Sequence, residues 1–294
     1  SKGTHMNNPI NESKLLIEIE NFVEAVVNRN RRPLRFYKKL ADLLVQFKRI
    51  YKSDFYYSPA IGLFVELLFD FDAYLDDFSW LNEKLSEISF KIIQEDFERH
   101  YQEHKRQLRN HRYSESKNTE KLVRRMRKVS DRYARILVVR VDLAYPLKYQ
   151  GQVGIQEFSD DMKVLCTRLR DQDTIFKGLI EYAWALEQGE EKGYHCHLLL
   201  VYKGSERRNA YWVADQVGKL WGKITEGQGC HFNCHTAAYL KQFSDLNRLG
   251  IGMIYRNDPE QVNNMLNTVK YLVRPEKENQ HLRVKCKKRM RTFG

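Results

Sequence analysis

Two histidines separated by one residue are the strongest chemical signal in this sequence. His195 and His197 lie in the apolar segment 194–202 (YHCHLLLVY), which predicts a β-strand. Alternate residues of a strand point to the same face, so the two imidazoles would stand about 7 Å apart on one side. Such a pair can chelate one divalent cation. A packed or surface pair of histidines without a ligand is the alternative, because one His-x-His motif is a short pattern.

A carboxylate ligand can be placed beside the histidines by strand register. A second predicted strand, 182–188, precedes the His-x-His strand across a turn-rich segment. If residues 189–193 close an antiparallel hairpin, Glu187 would lie opposite His195, and Ala185 opposite His197, on one face. A slip of one residue would turn Glu187 to the other face. Two imidazoles and one carboxylate would leave metal positions open for a phosphate oxygen.

Tyr271 is the candidate nucleophile. A helix is predicted to begin after Asp258, a suitable N-cap, with Pro259 at the first helical position. At 100° per residue, Tyr271 lies opposite the apolar stripe of this helix, with Lys270 before it and Arg274 after it. The residue is either an ordinary half-exposed tyrosine or a nucleophile whose phenolate is favoured by nearby positive charge.

A rival metal site is the segment 230–235 (CHFNCH), which contains four potential zinc ligands. On a strand, the two cysteines face one side and the two histidines the other, so the four ligands do not converge. On a helix, the pairs four residues apart would converge better. We favour a sheet strand with buried cysteines and keep a zinc-dependent structural protein as an alternative.

The elements that must position these side chains form two parts, an all-helical part and a part that mixes strands with helices. Predicted helices of the first part are 15–27, 40–47, 61–68, 81–109 and 120–133, with a polar linker at 110–119. Besides the hairpin, the second part has predicted strands at 136–143, 230–234 and 251–255 and predicted helices at 158–170, 210–221 and from Asp258.

These elements predict an α+β protein in two domains. Residues 7–132 would form an all-helical domain that binds DNA or a partner. Residues 133–294 would form a domain with a central antiparallel sheet flanked by helices, which we place on one face. Residues 1–6 (SKGTHM) are interpreted as cloning-derived and are set aside.

The charge of the chain indicates a polyanionic partner. Lys and Arg number 50 against 38 Asp and Glu, for a net charge of +12. The cations cluster in the stretches 105–135 and 283–291, which favours nucleic acid, although a solvated helix face and a frayed tail are the plainer interpretation. Tyr211, Trp212 and Trp221 could stack on unpaired bases or pack in the core.

The remaining composition argues against a secreted or membrane protein. Five cysteines are an odd number without disulfide-framework spacing, and no secretory signal is visible. The longest apolar stretch, 61–69, contains a glutamate and falls short of the roughly 20 residues that a membrane span needs. We expect a cytoplasmic location.

The second part of the chain resembles the HUH endonuclease superfamily, to which rolling-circle replication initiators and relaxases belong. The match consists of a first strand, 137–143 (LVVRVDL), the His195-Cys-His197 strand and the later helix with Tyr271. More closely, it resembles filamentous-phage (inovirus) replication initiators and prophage proteins of the YagK/YfjJ type. The segments that fit this group are 140–145 (RVDLAY), 193–199 (GYHCHLL), 269–272 (VKYL) and 291–294 (RTFG).

This resemblance implies a metal-dependent nickase and ligase of single-stranded DNA from a phage, prophage or mobile element. Tyr271 would form a 5′-phosphotyrosine while His195, His197 and Glu187 hold Mg²⁺ or Mn²⁺ against the scissile phosphate. The expected partner is single-stranded or origin DNA, with a host replication helicase or polymerase as a further candidate. The residues expected to bind DNA are Lys270, Arg274, Arg124, Arg125, Lys287 and Lys288.

Two departures from the superfamily pattern bear on this expectation. Cys196 takes the hydrophobic position of His-x-His, which a core-facing side chain tolerates. Arg274 replaces a lysine that many members have, and a guanidinium binds phosphate but donates a proton poorly. Tyr255 and Tyr239 are reserve candidates for a second nucleophile. A non-catalytic DNA-binding regulator with the same fold is the alternative function.

Overall fold

The computed structural model describes residues 9–273 and 279–294, so the six residues interpreted as cloning-derived lie outside it. Two compact units are present. The first contains the chain up to Asn110 with Gln150–Ile155 and Leu282–Met290, and the second contains His111–Tyr149, Gln156–His281 and Arg291–Gly294. The predicted division into folding domains after residue 132 stays a prediction.

The element order confirms the mixed fold class predicted from the sequence. The helices are α1 (Glu12–Val27), α2 (Phe36–Ile50), α3 (Pro59–Asp70), α4 (Phe78–Ser86), α5 (Phe90–Arg132), α6 (Leu147–Gln150), α7 (Ile155–Asp171), α8 (Ala210–Ile224), α9 (Ala237–Ser244) and α10 (Pro259–Val273). The strands are β1 (Tyr56–Tyr57), β2 (Arg135–Ala144), β3 (Leu179–Gly189), β4 (Gly193–Lys203), β5 (Cys230–Asn233), β6 (Gly252–Tyr255) and β7 (Val284–Lys285). None of the helices within the described ranges is long and apolar enough to cross a bilayer.

The first unit is a helical cluster around an aromatic core. Phe47 and Phe64 are fully buried, and their rings meet edge to face. The short strands β1 and β7 pair antiparallel at the side of this unit, which the helical prediction did not foresee. Arg283, beside β7, is fully buried and donates from Nη2 to Glu20 Oε1 over 2.8 Å.

The predicted linker at 110–119 is wrong, because α5 runs through it as one helix of 43 residues. The segment is polar, but it contains neither glycine nor proline, so nothing in its backbone stops a helix. Side-chain pairs one turn apart also support it, such as His111 with Glu115 at 3.0 Å. The helix predicted at 81–109 is instead divided, since α4 ends at Ser86 and α5 begins at Phe90.

The second unit is built on a five-stranded antiparallel sheet with β2 near its centre. The strands run in the order β3-β4-β2, and β5 and β6 both pair with β2, at opposite ends of its length. Helices cover both faces, which corrects the expectation of one covered face. On one face, Leu122 of α5 and Val269 of α10 join Leu199 in the core. On the other, Phe158 of α7 stacks on Tyr194.

The outer edge of β3 is covered by the last residues of the chain. The backbone N–H groups of Trp184 and Leu186 donate to the carbonyl oxygens of Gly294 and Thr292, both over 2.8 Å. Gly294 also lies close to the Trp184 ring, where a Cβ atom would come within 2.4 Å. The last residues of the sequence therefore form hydrogen bonds along the outer edge of β3, the strand that carries Glu187.

Candidate functional site

The hairpin of β3 and β4 has the register predicted from the sequence. Glu187 lies opposite His195, and Ala185 lies opposite His197. The ladder extends to Gly189 and Gly193, so the turn is shorter than the predicted one and comprises residues 190–192. Gly193 has a φ of +61°, a left-handed conformation that glycine adopts without strain.

Three side chains on this hairpin converge on one point. Glu187 Oε2 lies 3.2 Å from His195 Nε2 and 3.1 Å from His197 Nε2. The three candidate ligand atoms all lie within 4.8 Å of one another. Glu187 and His195 are buried, whereas the His197 side chain retains 12% exposure. The cluster thus opens to solvent at His197.

The second ring nitrogen of each histidine is held by a hydrogen-bond acceptor. His195 Nδ1 lies 3.0 Å from the carbonyl oxygen of Gly193, and His197 Nδ1 lies 2.6 Å from Asp142 Oδ1. Each Nδ1 therefore carries the proton, and in a neutral ring each Nε2 presents a lone pair. Both lone pairs face a carboxylate oxygen, which also only accepts, so a proton or a cation is needed between them.

Asp142 is a site residue to which the sequence interpretation gave no role. It lies directly opposite His197 on β2, 55 positions earlier in the chain. A carboxylate that accepts from a ligand histidine fixes its tautomer and raises its basicity. The sequence signal for it was an arginine and an aspartate, Arg140 and Asp142, on one face of an otherwise apolar strand.

In the cluster of Asp142, Glu187 and His197, hydrogen bonds and neighbouring charges together outweigh the effect of burial on each pKa. Burial raises the pKa of Asp142, but the hydrogen bond with His197 and the charge of Arg140 lower it, and the net pKa is about 2. Burial likewise opposes ionisation of Glu187, and its bonds with the two histidines lower its pKa to about 2. Burial lowers the pKa of His197, but Asp142 and Glu187 raise it to about 9. Both carboxylates thus carry charge at neutral pH.

The cluster fits a divalent cation. Glu187 Oε1 is buried and has no hydrogen-bond partner within the described part of the chain. Because two of the three donors are imidazole nitrogens, this ligand set suits Mn²⁺ or Zn²⁺ better than Mg²⁺. Phosphate oxygens from a substrate would favour Mg²⁺ or Mn²⁺. The three residues that would hold the ion are those predicted from the sequence.

Tyr271 lies on the wall of the same cleft, which has a volume of about 1100 Å³. Its side chain is 56% exposed. Asn264, Asn267 and Thr268 line the cleft beside it, so the predicted polar face of α10 is the face that borders the site. The helix begins as predicted, because Asp258 accepts from the N–H group of Gln261 over 3.1 Å.

The cleft also has a positively charged wall. Arg140 lines it from β2, with Nε 3.5 Å from Asp142 Oδ1. Burial lowers the pKa of Arg140, but the neighbouring carboxylate outweighs it, so the guanidinium stays charged. Lys192 and Arg248 border the cleft as well. An anionic ligand such as a phosphodiester would meet these cations beside the metal ligands.

The residues predicted to bind DNA lie in several places. Lys270 and Arg124 are exposed on α10 and α5. Arg125 is already engaged, since its Nε donates to Glu181 Oε2 over 2.8 Å. Arg274 lies outside the described residues. Lys287 and Lys288 are exposed in the first unit. The role of each in binding DNA stays a prediction.

The segment 230–235 does not gather its four potential ligands. His235 is buried and its Nε2 accepts from the N–H group of Arg140 over 3.0 Å, while burial lowers its pKa to about 4. His231 instead packs on Gly218 of α8. The ligand clusters found within the described residues do not include this segment. Strand geometry applies only to the first part of the segment, because β5 ends at Asn233 and both Cys234 and His235 lie in the turn after it. Cys234 is buried as predicted, whereas Cys230 is only partly buried, which corrects the expectation of two buried cysteines.

Of the two reserve tyrosines, Tyr239 lines the cleft, and Tyr255 does not. Tyr255 is exposed on β6 and pairs with Arg135, at the opposite end of β2 from Asp142. The two tyrosines therefore differ in their access to the candidate metal site.

Comparison with known protein families assigns the chain to one of them. A family model described as the YagK/YfjJ C-terminal domain matches residues 93–294. The chain belongs to this family. The YagK/YfjJ match begins in α5 and includes the whole sheet, the three candidate metal ligands, Asp142 and Tyr271. It confirms the resemblance to prophage proteins of the YagK/YfjJ type, and the resemblances to filamentous-phage replication initiators and to the HUH superfamily stay predictions. The searches of curated proteins and of solved structures found no match.

Proposed function

We propose that this YagK/YfjJ-family protein is a metal-dependent, HUH-type nickase and ligase of single-stranded DNA that initiates rolling-circle-type replication. The observation that carries the proposal is the convergence of Glu187, His195 and His197 in a cleft with Tyr271 on its wall. A candidate metal site, a phenol that solvent can reach and a charged guanidinium are groups that suit transesterification of a phosphodiester by a tyrosine.

The proposed step exchanges one phosphate ester for another. Tyr271 Oη attacks the phosphorus, its proton passes to solvent, and the bond between phosphorus and the 3′ oxygen breaks. The departing 3′ oxygen takes up a proton and becomes a free 3′-OH, and the 5′ phosphate stays on the tyrosine. A divalent cation bound by Glu187, His195 and His197 would polarise the scissile phosphate. Attack by a 3′-OH on the phosphotyrosine reverses the step and rejoins the strand.

Arg140 and Asp142 have distinct proposed parts in this chemistry. The Arg140 guanidinium binds a non-bridging oxygen of the scissile phosphate and stabilises the charge that develops there. Asp142 does not touch the substrate, and it positions the His197 ring through Nδ1. Tyr239 shares the cleft and is the candidate for a second transesterification.

The proposal is tested with a pool of random-sequence single-stranded oligonucleotides and Mn²⁺. A fluorophore at the 3′ end should remain with the protein on a denaturing gel, because a 5′-phosphotyrosine retains the 3′ segment. A fluorophore at the 5′ end should leave with the released strand. Tyr271→Phe should abolish the adduct, and Tyr255→Phe, which changes an exposed tyrosine outside the cleft, should leave it intact.

Two results would contradict the proposal. An adduct that persists in Tyr271→Phe would assign the nucleophile to another residue. Salt-dependent DNA binding without any adduct, unchanged by His195→Ala, would support the alternative of a non-catalytic regulator.

A further inference from the structure

A second cleft lies on the face of the sheet opposite the candidate metal site. It is enclosed by α7, the turn Thr174–Phe176 that follows α7, the loop before α8 and α8 itself, and its volume is about 950 Å³. All of the residues that line this cleft belong to the second compact unit. The lining residues are Val164, Arg168, Thr174, Ile175, Arg207, Trp212, Gln216, Lys219, Leu220, Lys223 and Ile224. We call this the α7–α8 cleft.

The charges in the α7–α8 cleft are all positive. Four of its lining side chains are cations, and none of the lining residues named above is acidic. Two of the four are neutralised at the rim, because Arg168 pairs with Asp173 and Lys219 pairs with Asp215. Arg207 packs over the Tyr202 ring, 4.8 Å from its centroid, and its Nη2 donates to the carbonyl oxygen of Lys177 over 3.1 Å, while Lys223 is exposed. Neither Arg207 nor Lys223 forms an ion pair with a carboxylate within the described part of the chain, so the cleft retains about two positive charges that these residues do not neutralise.

An exposed indole lies among these cations. Trp212 is 49% exposed and lines the cleft, on the same face of α8 as Gln216 and Lys223. The buried face of α8, with Val213, Val217 and Trp221, packs against the sheet instead. A large aromatic ring left half in solvent beside cations offers a stacking surface for a planar group.

We propose that the α7–α8 cleft binds single-stranded nucleic acid at a site separate from the catalytic cleft. Its cations complement backbone phosphates, and the Trp212 ring stacks on a base. An unpaired base exposes its face to such a ring, whereas a base inside a duplex does not. Because the site lies behind the sheet, it would hold strand that is not at the scissile position.

The test uses a fluorescein-labelled oligothymidylate of about 15 nucleotides in chelator, with the Tyr271→Phe variant as the background so that no cleavage occurs. Trp212→Ala should weaken binding about tenfold, as measured by anisotropy, because stacking on one base is lost. Lys223→Ala should lower the slope of log affinity against log salt by about 0.7, since one phosphate contact is removed.

The chain offers matched controls for both variants. Tyr211 is 52% exposed and precedes Trp212 on α8, but it does not line the cleft, so Tyr211→Ala should leave the affinity unchanged. Lys163 is an exposed lysine of α7 outside the cleft, so Lys163→Ala should keep the salt slope.

Equal binding by the Trp212→Ala and Lys223→Ala variants and by their shared background would overturn the proposal. A loss of binding in His197→Ala alone would place all single-strand binding in the catalytic cleft and would have the same consequence. Displacement of the strand from the α7–α8 cleft by polyglutamate at comparable charge concentration, without dependence on Trp212, would indicate an acidic protein partner instead. The proposed nicking activity is not measured in these experiments, so either proposal can fail without the other.

Discussion

At the scale of single residues, the candidate site depends on where protons are held. Glu187 has one carboxylate oxygen directed at both imidazole Nε2 atoms, and Asp142 holds the Nδ1 of His197. A cation can replace the proton that these groups otherwise share. In the proposed metal site, Asp142 would act through His197 as a positioning residue, so its effect on metal affinity can be measured separately from any chemistry.

Replacing Asp142 by asparagine should weaken Mn²⁺ binding by about 10- to 100-fold, because the amide no longer fixes the tautomer and basicity of His197. Isothermal titration of the metal-free protein with Mn²⁺ measures this affinity. Asp160→Asn is the control, since Asp160 is an exposed partner of Lys163. Unchanged Mn²⁺ affinity in Asp142→Asn would mean that His197 is not a ligand.

At the scale of elements, close packing between α8 and β5 constrains the backbone near the site. A Cβ atom at Gly218 would come within 2.2 Å of the His231 ring, whereas a Cβ atom at Gly222, on the same helix, meets nothing within 4 Å. Both glycines lie inside α8, but an added side chain would clash only at Gly218. This contrast isolates the helix–strand contact from helix propensity.

Gly218→Ala should lower the free energy of unfolding by about 1–3 kcal/mol, because the added methyl group forces the His231 ring and β5 to move. Gly222→Ala should raise it by about 0.4–1 kcal/mol, since alanine favours the helix without a clash. Urea unfolding of both variants measures the difference. A stabilised Gly218→Ala variant would contradict the close contact between α8 and His231.

At the scale of the whole molecule, buried ionisable groups make stability depend on pH. His197 has a folded pKa of about 9 against an ordinary 6.5, so its contribution is fully present below about pH 6.5 and is lost as the pH rises through 9. Glu187 and Asp142 have folded pKa values of about 2, so their contributions are present above about pH 4.5 and are lost as the pH falls toward 2.

His235, whose folded pKa burial lowers to about 4, opposes folding increasingly as the pH falls below about 6.5. The metal-free protein should therefore be most stable near pH 6.5 and should lose on the order of 2 kcal/mol between pH 6.5 and 9. Urea unfolding in chelator at a series of pH values measures this profile. In His197→Gln, the loss on the alkaline side should disappear, and His111→Gln, a change on the partly exposed surface of α5, should retain it. An alkaline slope that survives in His197→Gln would assign it to another group.

Local patterns predicted the parts of this protein whose geometry depends on near neighbours. Period-two alternation and a short turn set the hairpin register, which brought Glu187 to His195, and the capping pattern at Asp258 placed the start of α10. The prediction of a polar linker at 110–119 failed for a reason that is equally local, since polarity alone does not end a helix without glycine or proline.

Only the tertiary structure decided which distant elements meet at the site. The pairing of β2 with β4 placed Asp142 beside His197 and Arg140 in the cleft wall, and the packing of α10 on the sheet brought Tyr271 to that cleft. The last residues of the sequence form hydrogen bonds with the edge of β3. These contacts join segments separated by tens of residues, and no local periodicity specifies them, because they follow from the burial of both faces of the sheet.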